Sequence, residues 1–169
     1  MNNHSKYIKC TSPIGDIYIV QKKNRISAIY LGKEDFLAEE NQEDLFLDEE
    51  DAILNTAKNQ LKEYFAGKRT EFDLPIEYNG TNFQTSVWKE LCCIPYGETR
   101  SYQDIAVSIG NPKAVRAIGQ ANKANKLPIV IPCHRVIGKN HSLTGYAGTR
   151  IDIKEILLSL EGATGILSK

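Results

Sequence analysis

The sequence has no apolar run approaching the roughly 18 residues of a membrane span. Its N-terminus, Met1-Asn2-Asn3-His4-Ser5-Lys6, lacks the apolar core of a signal peptide. These absences argue against a membrane helix or a secreted chain and point to the cytoplasm. Cysteine is scarce. The four residues Cys10, Cys92, Cys93 and Cys133 form no spaced framework, and adjacent Cys92-Cys93 is not a CxxC pair. A disulfide-stapled fold is thereby set aside, and a reducing compartment fits. His4 and Cys10 are too few for a zinc site, which commonly takes about four ligands, so no metal is expected. Net charge is absent as well, since 21 basic and 21 acidic residues cancel. Taken alone, that balance argues against a nucleic-acid partner.

The balance holds only in sum. From Glu34 to Asp51 there are ten acidic residues and no basic one. From Ser101 to Asn140 the six basic residues Lys113, Arg116, Lys123, Lys126, Arg135 and Lys139 face the single acid Asp104. One locally basic surface is what contact with phosphate requires. The 169 residues, 41% hydrophobic and 25% charged, suit one large soluble domain or two small ones.

Residues Tyr7–Cys10, Ile14–Val20 and Arg25–Leu31 are rich in Ile, Val and Tyr, with turn signals at Ser12-Pro13 and Lys23-Asn24. They predict an antiparallel meander. The acidic stretch reads as a loop or short helix anchored by Phe36, Leu37, Leu45, Phe46 and Leu47. From Asp51 to Ala66, apolar residues recur at helical spacing until Gly67, predicting a helix over one face of the meander. Residues 68–80 read as a linker broken by Pro75 and Asn79-Gly80.

Thr81-Asn82-Phe83-Gln84 has the form of a capping box. The helix after it carries Phe83, Val87, Trp88, Leu91 and Ile94 on one side and stops at Pro95. Ser101, with Asp104 three residues on, caps a short helix that ends at Gly110. Asn111-Pro112 suits the start of a second helix reaching about Asn122. It would place Ala114, Val115, Ile118 and Ala121 among Lys113, Arg116, Gln120 and Lys123. Two short helices joined by a glycine-containing turn, the second basic, make a helix-turn-helix; a helical hairpin serving as core has the same pattern. The last helix places Ile153, Ile156, Leu157 and Leu160 at core spacing. Glu161 stands at its end, where the dipole disfavours a carboxylate, which hints at a partner elsewhere.

Between these helices lies Pro128-Ile129-Val130-Ile131-Pro132-Cys133-His134-Arg135-Val136-Ile137-Gly138. Ile129-Val130-Ile131 reads as a short buried strand or extended segment that ends at Pro132. It delivers a cysteine beside a titratable base, His134, and a fixed positive charge, Arg135. Cationic neighbours favour the thiolate, which is the nucleophilic form. Free cysteine is often merely buried, but this setting favours chemistry.

Ile131-Pro132-Cys133-His134-Arg135-Val136 resembles the active-site signature of the O6-alkylguanine-DNA alkyltransferases, the methylated-DNA–protein-cysteine methyltransferases. The similarity runs from about Thr81 to Gly162. It implies an α/β protein of two domains without a cofactor. Residues 1–80 would be an antiparallel sheet with a covering helix, ribonuclease H-like, plus the linker. Residues 81–169 would be a helical helix-turn-helix domain, winged-helix-like.

The implied function is DNA repair by a monomer acting on double-stranded DNA. An alkyl group passes irreversibly from O6-alkylguanine to Cys133, with O4-alkylthymine as a second candidate substrate. The resemblance assigns His134 as a base acting through water and Glu161 as its orienting carboxylate. Tyr102 would assist flipping and donate to guanine N3, and Arg116 would fill the stack. Ala114, Val115 and Gly119 would permit minor-groove approach, with Lys113, Lys123 and Arg135 on DNA. Asn125 would brace the turn before Cys133, while Val136, Tyr146, Ala147 and Gly148 would line the base pocket. Ala147 and Thr149 stand where many relatives have Ser and Gly. A DNA-binding protein without chemistry and a cysteine hydrolase remain as competing readings.

Overall fold

Pairing of β-branched and aromatic residues across tight turns builds the first part of the molecule. The computed structural model describes residues 5–138 and 151–163, and the chain divides into two units, Met1–Tyr78 and Asn79–Lys169. Strands β1 (Ser5–Ser12), β2 (Gly15–Lys22) and β3 (Arg25–Leu31) form the expected antiparallel meander. Lys23 and Asn24 join β2 to β3 with φ of 53° and 65°, the paired positive values of a two-residue hairpin turn.

The acidic stretch contributes more than a loop. Helix α1 (Lys33–Glu39) is followed by a short 3₁₀ turn and by strand β4 (Leu45–Leu47), which pairs parallel to β1. The sheet is therefore mixed, in the order β3-β2-β1-β4, and the purely antiparallel expectation is corrected. Three apolar residues among carboxylates show no periodicity of their own. Only the pairing of Ser5 through Tyr7 with Leu45 through Leu47 makes them a strand.

Both faces of the sheet are covered. Phe36 of α1 packs with Tyr18, Val20, Ala28 and Tyr30, its ring stacked on Tyr18 at 4.3 Å between centroids. Helix α2 (Ala52–Phe65) packs against all three meander strands and buries Leu54, Ala57, Leu61 and Tyr64. Because successive side chains of a strand point to opposite faces, coverage on both sides explains why β2 is buried from Ile17 to Gln21. Asp51 caps α2 by accepting from the Leu54 amide at 2.9 Å. Among the described residues, no helix is long and apolar enough to cross a membrane.

The second unit opens with helix α3 (Asn82–Leu91), started by the capping box of Thr81 and Gln84. Trp88 leaves α3 and donates its indole N–H to the Ala121 carbonyl at 2.8 Å. Gly80 lies against the same ring, where an added Cβ would come within 2.5 Å of Trp88, so no larger residue fits there without a shift. Strand β5 (Arg100–Ser101) leads into helix α4 (Tyr102–Ser108), capped by Ser101 and Asp104 as expected. Helix α4 closes at Gly110, with φ of 79°. The Asn111 amide bonds back to Ala106 and that of Gly110 to Val107, the Schellman pattern.

Helix α5 (Val115–Lys123) starts later than the Asn111-Pro112 signal suggested. The Ala114 amide bonds to the Asn111 carbonyl at 3.0 Å, so these residues form a turn of their own before the helix begins. Val115, its first residue, is exposed. Strand β6 (Val136–Ile137) pairs parallel to β5, and helix α6 (Ile151–Leu160) ends the described chain. The expected core stripe of α6 also shifts. Ile156 is exposed, while Ile153, Lys154, Leu157, Leu158 and Glu161 are buried.

Candidate active site

Cys133 does not stand at the end of a strand. Ile129 takes φ of 76°, rare for a β-branched residue and costing about 1–3 kcal/mol. The chain turns there, with the Ile131 amide bonded to the Leu127 carbonyl at 2.8 Å. Cys133, His134 and Arg135 follow as one 3₁₀ turn. The expected extended segment is thus a tight reversal, forced between Pro128 and Pro132 and held from outside by Asn125. The Asn125 Oδ1 accepts from Leu127 N at 2.9 Å, and its Nδ2 donates to Ile131 O at 3.0 Å. The same Nδ2 reaches Cys133 Sγ at 3.1 Å. Asn125 thus holds the turn at two backbone groups and in addition touches the sulfur.

The thiol is 2% exposed. Burial pushes its pKa up to about 11, against the downward pull of the Asn125 hydrogen bond and the charge of Lys154. At rest it is a thiol, not a thiolate. Neither His134 nor Arg135 supplies the stabilising contact that their place in the sequence suggested.

His134 and Arg135 both turn to Glu161. His134 Nε2 lies 2.7 Å from Glu161 Oε2. Arg135 donates to both carboxylate oxygens, from Nε at 2.8 Å and from Nη2 at 3.1 Å. Its Nη1 donates to the Ile94 carbonyl at 2.7 Å, and the guanidinium lies 5.7 Å from the centre of the Tyr96 ring. Arg135, 6% exposed, is therefore an internal strut, and its assignment as a DNA contact is corrected. The pull toward a buried carboxylate outweighs solvent or phosphate because the fork satisfies both oxygens at once.

Burial works against the charge on Glu161. The hydrogen bond and charge of His134, and then those of Arg135, outweigh it and hold the carboxyl at about 2. Burial lowers the His134 pKa despite the Glu161 bond, so the ring is neutral near pH 7. A neutral ring facing a carboxylate carries its proton on Nε2 and presents the Nδ1 lone pair.

The β5–β6 ladder pairs Arg100 with Val136 and Ser101 with Ile137. It thereby brings Tyr102, the first residue of α4, beside the segment that leaves the cysteine turn. On α5, Val115, Arg116, Gln120 and Lys123 are exposed and Gly119 is half-buried; in the turn before it Lys113 is exposed and Ala114 half-buried. Ile118, Ala121 and Asn122 form the buried face. Val136 is fully buried in β6. Tyr146, Ala147 and Gly148 lie outside the described residues.

Two polar residues of the site are not apparent from the sequence pattern. Asn122 donates to the Cys133 carbonyl at 3.3 Å and is 2% exposed. Lys154 is fully buried, its Nζ 6.0 Å from the centre of the Tyr102 ring. Each sits on the apolar stripe of its helix, and a polar residue in such a stripe was the available signal. On α6, Lys154 and Glu161 are seven residues apart and share one face.

The second unit is thus a helix-turn-helix with a buried cysteine, braced by an amide, in the chain beyond its second helix. Residues 82–163 match the 6-O-methylguanine DNA methyltransferase DNA binding domain, and residues 5–78 match the ribonuclease-like domain of the same enzymes. The chain belongs to the methylated-DNA–protein-cysteine methyltransferase family. It is 50% identical over 155 residues to the constitutive methylated-DNA–protein-cysteine methyltransferase of Bacillus subtilis, covering 92% of this chain and 94% of the relative. The Methanosarcina barkeri protein of that name is 49% identical over 152 residues, covering 89% and 92%. The crystal structure of Mycobacterium tuberculosis OGT in complex with DNA superposes with a TM-score of 0.83 at 42% identity, covering 92% of each chain.

Proposed function

We propose that the protein repairs O6-alkylguanine in double-stranded DNA by moving the alkyl group to Cys133, once and irreversibly. The observation that carries this reading is the placement of Cys133, ten residues beyond the end of α5 and held by Asn125 from the connection between them. Whatever α5 holds on DNA is delivered to the sulfur. A base within a duplex is out of reach, so the damaged nucleotide is extruded at a cost of a few kcal/mol. Arg116, exposed on α5, fills the gap from the minor-groove side, and Lys113 and Lys123 meet phosphates.

Cys133 gives up its proton through water to His134, whose imidazolium Glu161 then stabilises. The sulfur attacks the alkyl carbon, the S–C bond forms, and the C–O6 bond breaks with its electron pair leaving on guanine. Tyr102 donates toward N3 as that charge develops, and the leaving guanine takes up one proton, which balances the one the thiol gave up. Thiol and alkylguanine thus become thioether and guanine, with no external oxidant or reductant. A thioether is a poor leaving group, so the protein acts a single time. The four cysteines are free, in keeping with a cytoplasmic site of action.

The test is the intact mass of the protein after mixing with a duplex oligonucleotide carrying O6-methylguanine. The expected result is a gain of one methylene, about 14 Da, mapped to Cys133 as a covalent adduct. Turnover beyond one equivalent, or full activity of Cys133→Ala, overturns the proposal. Binding to damaged DNA with no gain in mass supports the reading without chemistry.

A further inference from the structure

We propose that the first unit carries a binding site for a small apolar monocarboxylate, seated between β1 and the last two turns of α2 with its carboxylate on Lys62. The site lies outside the alkyl-transfer machinery and does not depend on that reading. A cavity of about 270 Å³ opens there. Pro13, Leu61, Phe65 and Ala66 give it an apolar lining, and Cys10 of β1 borders it from the strand side. Lys62 also lines it and is exposed.

The helix pattern explains why an ammonium stands over an apolar floor. Lys58, Leu61, Lys62 and Phe65 follow one another at spacings of three, one and three residues, which gathers them on one side of α2. Leu61 is buried and Phe65 half-buried, while Lys62 remains at the rim. The space lies just below the range of roughly 300–1,000 Å³ usual for small-molecule sites. Its occupant is therefore smaller than a drug-sized molecule, a single aromatic ring or a chain of about six carbons.

Charge decides the head group. Among the described residues, neither Lys58 nor Lys62 forms an ion pair with a carboxylate. Glu63, the acid next to Lys62, is instead held by Arg69 at 2.7 Å. The charges of both lysines reach the cavity wall, where they oppose the rise that burial imposes on the Cys10 pKa, and Asp16 acts the other way. The Ser12 hydroxyl, on the strand side, already donates to the Gly15 carbonyl at 2.7 Å. A single carboxylate meets the Lys62 ammonium while its apolar body covers Leu61 and Phe65. A phosphate would leave further charged oxygens over apolar side chains, at a desolvation cost that one ammonium does not offset.

The experiment uses the whole chain, with 4-(trifluoromethyl)benzoate as the probe followed by its fluorine NMR signal. The uncharged counterpart is 4-(trifluoromethyl)benzyl alcohol. Lys62→Met removes the charge and keeps an apolar stem, and Ala66→Trp fills the cavity from an exposed helix end. Both are checked for fold by circular dichroism. The benzoate should bind saturably with a Kd of about 1 mM or below. Affinity should fall about fivefold or more in Lys62→Met and for the alcohol, and binding should be lost in Ala66→Trp.

Cys10 supplies the readout of place, since it is free and 5% exposed while free Cys92 and Cys93 are exposed. Saturating benzoate should slow modification of Cys10 by N-ethylmaleimide, read by peptide mapping, and leave Cys92 and Cys93 unchanged. No saturation below about 10 mM, equal affinity for the alcohol, or binding that survives Ala66→Trp overturns the proposal. Equal slowing of all three thiols, or none at Cys10, overturns it as well. No readout involves Cys133, so failure of the alkyl-transfer reading leaves this result standing.

Discussion

Arg135 Nε and Glu161 Oε1 meet at 2.8 Å inside the second unit, so the arginine two residues after Cys133 joins the 3₁₀ turn to the end of α6. Removing one member of a buried pair leaves the other uncompensated. Arg135→Ala should therefore destabilise the protein by about 3–5 kcal/mol. Urea unfolding followed by circular dichroism measures this. A variant of wild-type stability that binds DNA more weakly would restore Arg135 to the DNA surface.

The same cluster sets the acid limit. His134 has a lowered folded pKa, so protonation favours the unfolded chain once pH drops below the ordinary histidine range near 6.5. Glu161 has its folded pKa at about 2, against 4.5 in the unfolded chain. Its contribution is present above about pH 4.5 and disappears as pH falls through about 2. Stability should decline in two stages, the first below about pH 6.5. Glu161→Gln should abolish the second stage. Thermal midpoints measured from pH 8 down to 3 resolve the two, and an unchanged acid profile in Glu161→Gln removes Glu161 from the account.

His134 and Glu161 should behave as one unit in the transfer reaction. Replacing both should cost little more than replacing His134 alone, since residues acting together are strongly non-additive. Single-turnover rates for His134→Ala, Glu161→Gln and the double variant give the comparison. Losses that simply add in free energy count against the relay.

Arg116 should separate extrusion from chemistry. Arg116→Ala should slow repair of duplex DNA by about tenfold or more, while the reaction with free O6-benzylguanine changes little, because no base has to leave a stack. Lys113→Ala or Lys123→Ala should weaken binding on all sequences and reduce the salt slope by about one unit for each phosphate no longer neutralised. Equal fractional losses on duplex and free base would mean that Arg116 supports the fold.

Asn125→Ala should act on both the turn and the sulfur. The Leu127 amide and the Ile131 carbonyl lose their partner, at about 1–3 kcal/mol for each buried group left unsatisfied. The thiol loses the hydrogen bond that lowers its pKa, so its ionisation should move up in pH. Thermal stability and the pH dependence of Cys133 modification together check this. A stable variant with unchanged thiol reactivity contradicts it.

Where local chemistry decides, the sequence is readable. The capping boxes at Thr81 and Ser101, the Lys23-Asn24 hairpin and the Gly110 terminator each need only a few adjacent residues. Glu161 stands out because a carboxylate at a helix end invites a partner, and it has two. Features settled by distant contacts are not readable. Strand β4 depends on an edge supplied some forty residues earlier, and the turn at Ile129 on an asparagine side chain that no propensity describes. Arg135 points to DNA in the sequence because sequence shows charge and not direction. Lys154 is hidden because an apolar helix face is expected to contain only apolar residues.

Trp88 is the sole tryptophan of the chain, and its indole joins α3 to the backbone of α5. The first unit contains tyrosine and phenylalanine but no such fluorophore. Selectively excited emission therefore comes from the second unit alone, and from the contact that seats α5 on α3. Loosening of α5 from α3 exposes the indole to water and shifts that emission, while far-ultraviolet ellipticity continues to report both units. The protein thus carries its own reporter for the half of the molecule that holds Cys133.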